Sequence, residues 1–234
     1  VSVFSSRGNN SGQHGVSVLA KYIFFIVLLF PFIAHSDQGA PVNTGDKYVT
    51  EYKLLVLGDS LSAAYGLRAA QGWVSLLQTK WRESGQPISV VNAAISGDTT
   101  DGGLARLPRL LALHQPTHLY IELGGNNGLQ GHNPKKIKQN LAQMIKLAKQ
   151  NDIEVILQEI QIPTNYGRRY TELFVQNYHQ LANEYDVPLI PFFLQDIALK
   201  PALMQNDGIH PTAEAQAMIV EFLSPKLIKV ILES

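Results

Sequence analysis

Short apolar runs of four to six residues alternate along this chain with longer segments whose apolar residues recur at helical spacing. That alternation restricts the fold more than any other feature. The short runs are Lys53–Leu57, Ile88–Val91, His118–Leu123, Ile153–Gln158 and Val187–Ile190. The longer segments are Trp73–Arg82, Leu104–His114, Pro134–Gln150, Tyr170–Tyr185 and Thr212–Ile231. Ile137, Leu141, Met144, Ile145 and Ala148 mark the buried face of one of them. Strands this short, each followed by an amphipathic helix, predict an α/β fold with a parallel sheet of five strands and helices on both faces. Pro108 inside the second helical segment predicts a kink or a broken first turn there.

The start of the chain reads differently. Lys21 precedes an apolar stretch from Tyr22 to Ala34, and small residues follow at alternate positions. The pattern predicts a secretory signal peptide over residues 1–36 with cleavage after Ser36, and no stable membrane span once it is removed. Residues 37–51, rich in Gly, Pro, Asn, Asp and Thr, read as a linker. Residues 52–234 then form one domain, large enough to bury a single sizeable core. A periplasmic or secreted protein is the expectation.

Charge and cysteine content exclude several function classes. The formal net charge is zero and no Lys/Arg run exceeds two residues, so nothing marks a nucleic-acid footprint or a polybasic membrane patch. The chain has no cysteine, hence no disulfide, no thiol nucleophile and no thiolate metal site. His114 and His118 are four apart, but Pro116 between them prevents a shared helical face, and no metal site is expected. No Gly-rich loop is followed by Gly-Lys-Ser/Thr, so a nucleotide cofactor has no foundation either.

Four polar clusters carry the chemistry: Gly58-Asp59-Ser60-Leu61-Ser62, Ser96-Gly97-Asp98, Gly124-Gly125-Asn126-Asn127 and Asp207-Gly208-Ile209-His210. The first three follow strands, and ligands of such sheets bind outside the carboxyl ends of the strands. Ser60 is the candidate nucleophile, with Ser62 as a less favoured substitute. His210 stands just before Pro211, and Asp207 is close enough to accept its ring N–H, leaving the other nitrogen free to act as a base. The backbone N–H groups of Ser60 and Gly97 and the Asn126 side chain can donate to an oxyanion. Asp59, Asp98 and Asp101 are alternative partners for the histidine. Each cluster alone also reads as an ordinary turn.

Taken in order, Gly58-Asp59-Ser60-Leu61, Gly97, Gly124-Gly125-Asn126 and Asp207-Gly208-Ile209-His210 resemble the four blocks of the SGNH (GDSL) hydrolase family. Gly103-Leu104-Ala105-Arg106-Leu107-Pro108, Asn165-Tyr166-Gly167-Arg168-Arg169-Tyr170 and Val187-Pro188-Leu189-Ile190-Pro191-Phe192-Phe193 resemble its periplasmic thioesterase/lysophospholipase and arylesterase branch. The resemblance covers about Lys53 to the C-terminus. It implies a three-layer, flavodoxin-like α/β/α sandwich with Ser60 as nucleophile, His210 as base, Asp207 as its orienter and Ser60, Gly97 and Asn126 as the oxyanion hole. Implied substrates are small-molecule acyl esters, acyl-thioesters and lysophospholipids, with no cofactor and no metal. A carbohydrate deacetylase and a non-catalytic acyl- or lipid-binding protein are the alternatives. Leu129, Ile162 and Pro163 are candidates for lining an acyl groove. One departure stands out: the third block usually ends in Asp, and this chain has Asn127.

Overall fold

The structure, a computed structural model, describes residues 51–233. The expected signal peptide and all of the linker except Glu51 lie outside the described residues. Five parallel strands, β1 (Tyr52–Gly58), β2 (Ile88–Asn92), β3 (His118–Glu122), β4 (Glu154–Gln158) and β5 (Leu189–Ile190), form one sheet in the order β2-β1-β3-β4-β5. The helices are α1 (Trp73–Glu83), α2 (Thr100–His114), α3 (Gly125–Leu129), α4 (Pro134–Lys149), α5 (Arg168–Tyr185) and α6 (Ala213–Leu232).

The strands are apolar on both sides because both sides are covered. Leu54 and Val56 face one way, packing with Trp73, Leu77 and Trp81 of α1 and with Ile219 and Leu223 of α6. Leu55 and Leu57 face the other way, with Leu107 of α2, Leu141 and Met144 of α4, and Tyr178 and Leu181 of α5. This is the three-layer sandwich that the sequence predicts. Each fully buried Leu or Ile contributes roughly 1.5–3 kcal/mol. Two buried polar bonds fasten α1 to α6, the Trp81 indole N–H donating to Ser224 Oγ and the Trp73 backbone N–H to Gln216 Oε1, both at 2.9 Å, and Lys80 pairs with Glu221 on the surface at 2.6 Å.

Two elements depart from expectation. Helix α2 begins at Thr100, a turn before Leu104, with Thr99 capping it through Oγ1 on the Gly102 N–H. Gly102 and Gly103 look like breakers in sequence, yet Gly103 is there for packing: a Cβ would sit 2.2 Å from a Leu123 methyl. Pro108 consequently falls in the helix interior and breaks no first turn. The Gly124–Asn127 cluster, which alone reads as a turn, enters the short helix α3.

The strand order reverses at β1, whose neighbours β2 and β3 are reached by chains leaving in opposite directions. A crevice opens at the carboxyl ends of strands at such a point. Ser60 follows β1, Gly97 follows β2 and Asn126 follows β3.

Candidate active site

Past β1 the chain winds into a helical turn. The Ala63 N–H donates to Asp59 O at 2.9 Å and the Tyr65 N–H to Ser60 O at 3.2 Å. Asp59 Oδ1 accepts the Leu61 N–H at 3.1 Å and so caps the turn. Ser60 is thereby presented at the start of the turn, half-buried. Ser62, two residues on, is buried, and its hydroxyl donates to Glu122 Oε2 at 2.6 Å. That bond commits it to a structural task.

The late cluster closes onto the same rim. His210 Nε2 is 2.8 Å from Ser60 Oγ, and His210 Nδ1 is 2.8 Å from Asp207 Oδ2. With Nδ1–H donating to the carboxylate, Nε2 presents its lone pair to the serine hydroxyl. Asp207 Oδ1 also accepts the backbone N–H groups of Ile209 at 2.9 Å and His210 at 3.0 Å. These bonds, the one from His210 foremost, hold the Asp207 carboxyl down to about 2. Asp207 is thus ionised at neutral and mildly acidic pH.

The oxyanion candidates converge from three strand ends. Neither the Ser60 nor the Gly97 backbone N–H has an acceptor among the described residues. Gly97 has a φ of +80°, a conformation that favours glycine, and no atom lies within 4 Å of where a Cβ would be. Asn126 Nδ2 donates to Asp98 O at 2.9 Å and to Asp59 Oδ2 at 3.2 Å. The bond to Asp59 is the longer of the two.

Of the alternative carboxylates, none approaches His210 as Asp207 does. Asp98 pairs with Arg106 at 2.8 Å, both side chains mostly buried. Asp101 lies 3.6 Å from Lys136 on the surface. Arg106 also donates to Ala93 O and to Gly58 O, tying the ends of β1 and β2 to the Gly97 loop. Sequence shows Arg106 as one of two cations in an amphipathic segment, within a stretch that resembles the family branch, and gives no sign of these bonds.

Behind the nucleophile lies a buried carboxyl pair that sequence reasoning also missed. Glu122 is fully buried and accepts the Asp59 N–H at 3.2 Å through Oε2, while Oε1 has no partner. Burial first, and then the Asp59 carboxylate, push Glu122 well above the ordinary range. Burial also raises Asp59, to about 6, against the opposing pull of the Leu61 N–H and His210. Burial therefore favours the protonated form of each carboxyl.

The three candidate acyl-lining residues differ in environment. Leu129 is partly buried at the end of α3, Ile162 is 8% exposed within the core, and Pro163 is exposed. A cavity of about 450 Å³ bordered by Tyr166, Tyr170 and Leu173 includes none of them. Two tyrosines hold the segment after α3: Tyr166 donates to Leu129 O at 2.8 Å and Tyr170 to His132 O at 2.7 Å. Among the described residues no group of His, Asp and Glu could hold a metal ion, and no helix is long and apolar enough to cross a membrane.

Three comparisons bear on this geometry. A family model described as the GDSL-like lipase/acylhydrolase family matches residues 56–218. The thioesterase 1/protease 1/lysophospholipase L1 of Escherichia coli strain K12 is 50% identical over 174 residues, 74% of this chain and 82% of that protein. The arylesterase of Vibrio mimicus is 49% identical over 177 residues, covering 76% and 88% respectively. Among solved structures, the psychrotrophic esterase EstA from Pseudoalteromonas sp., inhibited by monoethylphosphonate, superposes with a TM-score of 0.77 at 42% identity. That match covers 79% of this chain and all of EstA.

Proposed function

The chain belongs to the GDSL-like lipase/acylhydrolase family and hydrolyses acyl esters and thioesters, and on that premise we propose that Ser60 carries the acyl group through a covalent acyl-enzyme. The observation that carries the reading is the unbroken line from Asp207 Oδ2 to His210 Nδ1 and from His210 Nε2 to Ser60 Oγ, 2.8 Å at each step.

Ser60 Oγ attacks the substrate carbonyl carbon as its proton passes to His210 Nε2. The imidazolium formed is stabilised by Asp207, which stays ionised. The carbonyl oxygen becomes an oxyanion, taking hydrogen bonds from the Ser60 and Gly97 backbone N–H groups and from Asn126, whose bond to Asp59 gives way. Each such donor is worth roughly 3–4 kcal/mol in the transition state. Collapse breaks the bond to the leaving alcohol or thiol, which takes the proton from Nε2. Water then repeats the sequence, with Nε2 as base, and releases the carboxylic acid and the free Ser60 hydroxyl.

Lysophospholipids and other esters of apolar acyl chains are the substrates we assign, with Leu129, Ile162 and Pro163 contacting the acyl chain. The apolar Tyr22–Ala34 segment and the small residues after it support a signal peptide over 1–36, a linker over 37–51 and a catalytic domain over 52–234 acting in the periplasm or outside the cell. Incubation with a fluorophosphonate followed by peptide mass mapping tests the reading. It requires stoichiometric modification of Ser60, and modification elsewhere with Ser60 untouched would refute it.

A further inference from the structure

The Tyr65 ring lies against the His210 imidazole, with ring centroids 4.3 Å apart and planes 33° from parallel. Tyr65 is nevertheless 50% exposed. A half-exposed aromatic ring ordinarily samples several rotamers, but this one springs from a backbone held on two sides. The Tyr65 N–H donates to Ser60 O at 3.2 Å, within the turn that presents the nucleophile. The Tyr65 carbonyl accepts Gln205 Nε2 at 2.8 Å. That same Nε2 donates to Pro211 O at 3.0 Å, and the Gln205 backbone N–H donates to His210 O at 2.7 Å. One glutamine therefore staples the loop carrying Ser60 to the loop carrying His210.

We propose that Tyr65 is a positioning residue for acyl transfer, acting through His210, and that Gln205 is the staple that keeps the Tyr65 ring on the imidazole. The inference rests on the reading of Ser60 as nucleophile and His210 as base. When the Ser60 proton moves to Nε2, the imidazole becomes a cation with the Asp207 carboxylate at its Nδ1 edge and the Tyr65 ring against its face. An aromatic face attracts a cation more strongly than a neutral ring, so the contact strengthens as the transition state forms. An interaction that is stronger in the transition state than in the ground state raises kcat instead of tightening substrate binding. The stack also opposes rotation of the imidazole about its Cβ–Cγ bond, which would carry Nε2 away from Ser60 Oγ.

The charged groups that face His210 are Asp207 from its own loop and Asp59 from the nucleophile turn. Both are retained when Tyr65 alone is changed, so a change in the pH profile reports the loss of the ring.

The test compares Tyr65→Leu and Tyr65→Phe in the full chain, using p-nitrophenyl acetate and p-nitrophenyl octanoate. Leucine is expected to lower kcat about three- to fivefold on both esters. It should also move the acid limb of the kcat/KM profile down by about half a pH unit, because the imidazolium loses a stabilising face. Phenylalanine should restore both. An effect confined to KM and larger for the octanoate would make Tyr65 an acyl contact and overturn the proposal. Unchanged kcat and an unmoved acid limb would overturn it too, as would failure of phenylalanine to rescue. Gln205→Ala should reproduce the kcat loss and add little to Tyr65→Leu; full additivity would remove Gln205 from the account. Fluorophosphonate labelling of the parent separates the two levels. If Ser60 is not modified, the nucleophile assignment fails whatever Tyr65 does, whereas labelling that is merely slower in Tyr65→Leu is the result expected here.

Discussion

Asn127 Oδ1 accepts the Thr100 backbone N–H at 2.8 Å, so the residue that departs from the usual pattern of its block still satisfies the first donor of α2. The same side chain reaches the other way, its Nδ2 lying 3.0 Å from His132 Nδ1. Asn127 is buried and Thr100 fully so, which leaves no water to replace a lost partner.

Truncating Asn127 therefore exposes a cost in stability. Asn127→Ala should lower the unfolding free energy by about 1–2 kcal/mol, the range for removing a cap from a buried donor. Asn127→Asp should lose much less, since a carboxylate also accepts the Thr100 N–H and sits favourably at a helix N-terminus. Urea unfolding of the two variants checks this; an alanine variant as stable as the parent would show that the bond contributes nothing.

Asn126 presents a separate case, because its effect should fall on catalysis. Asn126→Ala removes a side-chain oxyanion donor and should reduce kcat by about 10²–10³-fold with a much smaller change in KM. Steady-state kinetics on one good ester suffices. A loss seen mainly in KM would mean that Asn126 binds the ground state.

Glu122 should make stability depend on pH. Its folded-state affinity for a proton is raised by burial and by Asp59, so the native chain holds a proton that the unfolded chain releases above about 4.5. Stability then falls as pH rises from that value towards the folded-state midpoint. Glu122→Gln keeps an acceptor for Ser62 and the Asp59 N–H and has no proton to lose. Its urea midpoint should decline less than the parent's as pH rises from about 4.5, and parallel curves would contradict the assignment.

Asp207 behaves in the opposite sense. Its carboxyl is held at about 2, below the ordinary 3.8, so its contribution is present above the unfolded value and lost as pH falls through the folded one. No activity change near neutrality comes from its titration. Asp207→Asn should cut kcat by roughly 10⁴-fold, as expected when an imidazole loses the carboxylate that sets its tautomer. A reduction below tenfold would mean that another group orients His210.

Much of this was readable in advance, for physical reasons. The five strands announce themselves because both faces of a parallel sheet are dry, so Leu54 to Leu57 must all be apolar. Asp207 and His210 are three residues apart, a local spacing that sequence displays directly. Glu122, Arg106, Tyr65 and Gln205 were hidden because their meaning comes from tertiary register. Gly58 pairs with Glu122 across β1 and β3, and only that pairing brings a carboxyl under Asp59. Likewise, Gln205 meets Tyr65 across 140 residues of chain. The start of α2 was misjudged because Gly102 and Gly103 weaken a helix in isolation, and only the approach of Leu123 explains why Gly103 is tolerated.

The central claim is that Ser60 is the nucleophile of a hydrolase, and Ser60→Ala tests it most directly. Turnover of a p-nitrophenyl ester by this variant should fall by at least about 10³-fold while its circular dichroism and urea midpoint stay at parental values. Turnover within tenfold of the parent, by a variant shown to be folded, would contradict the account.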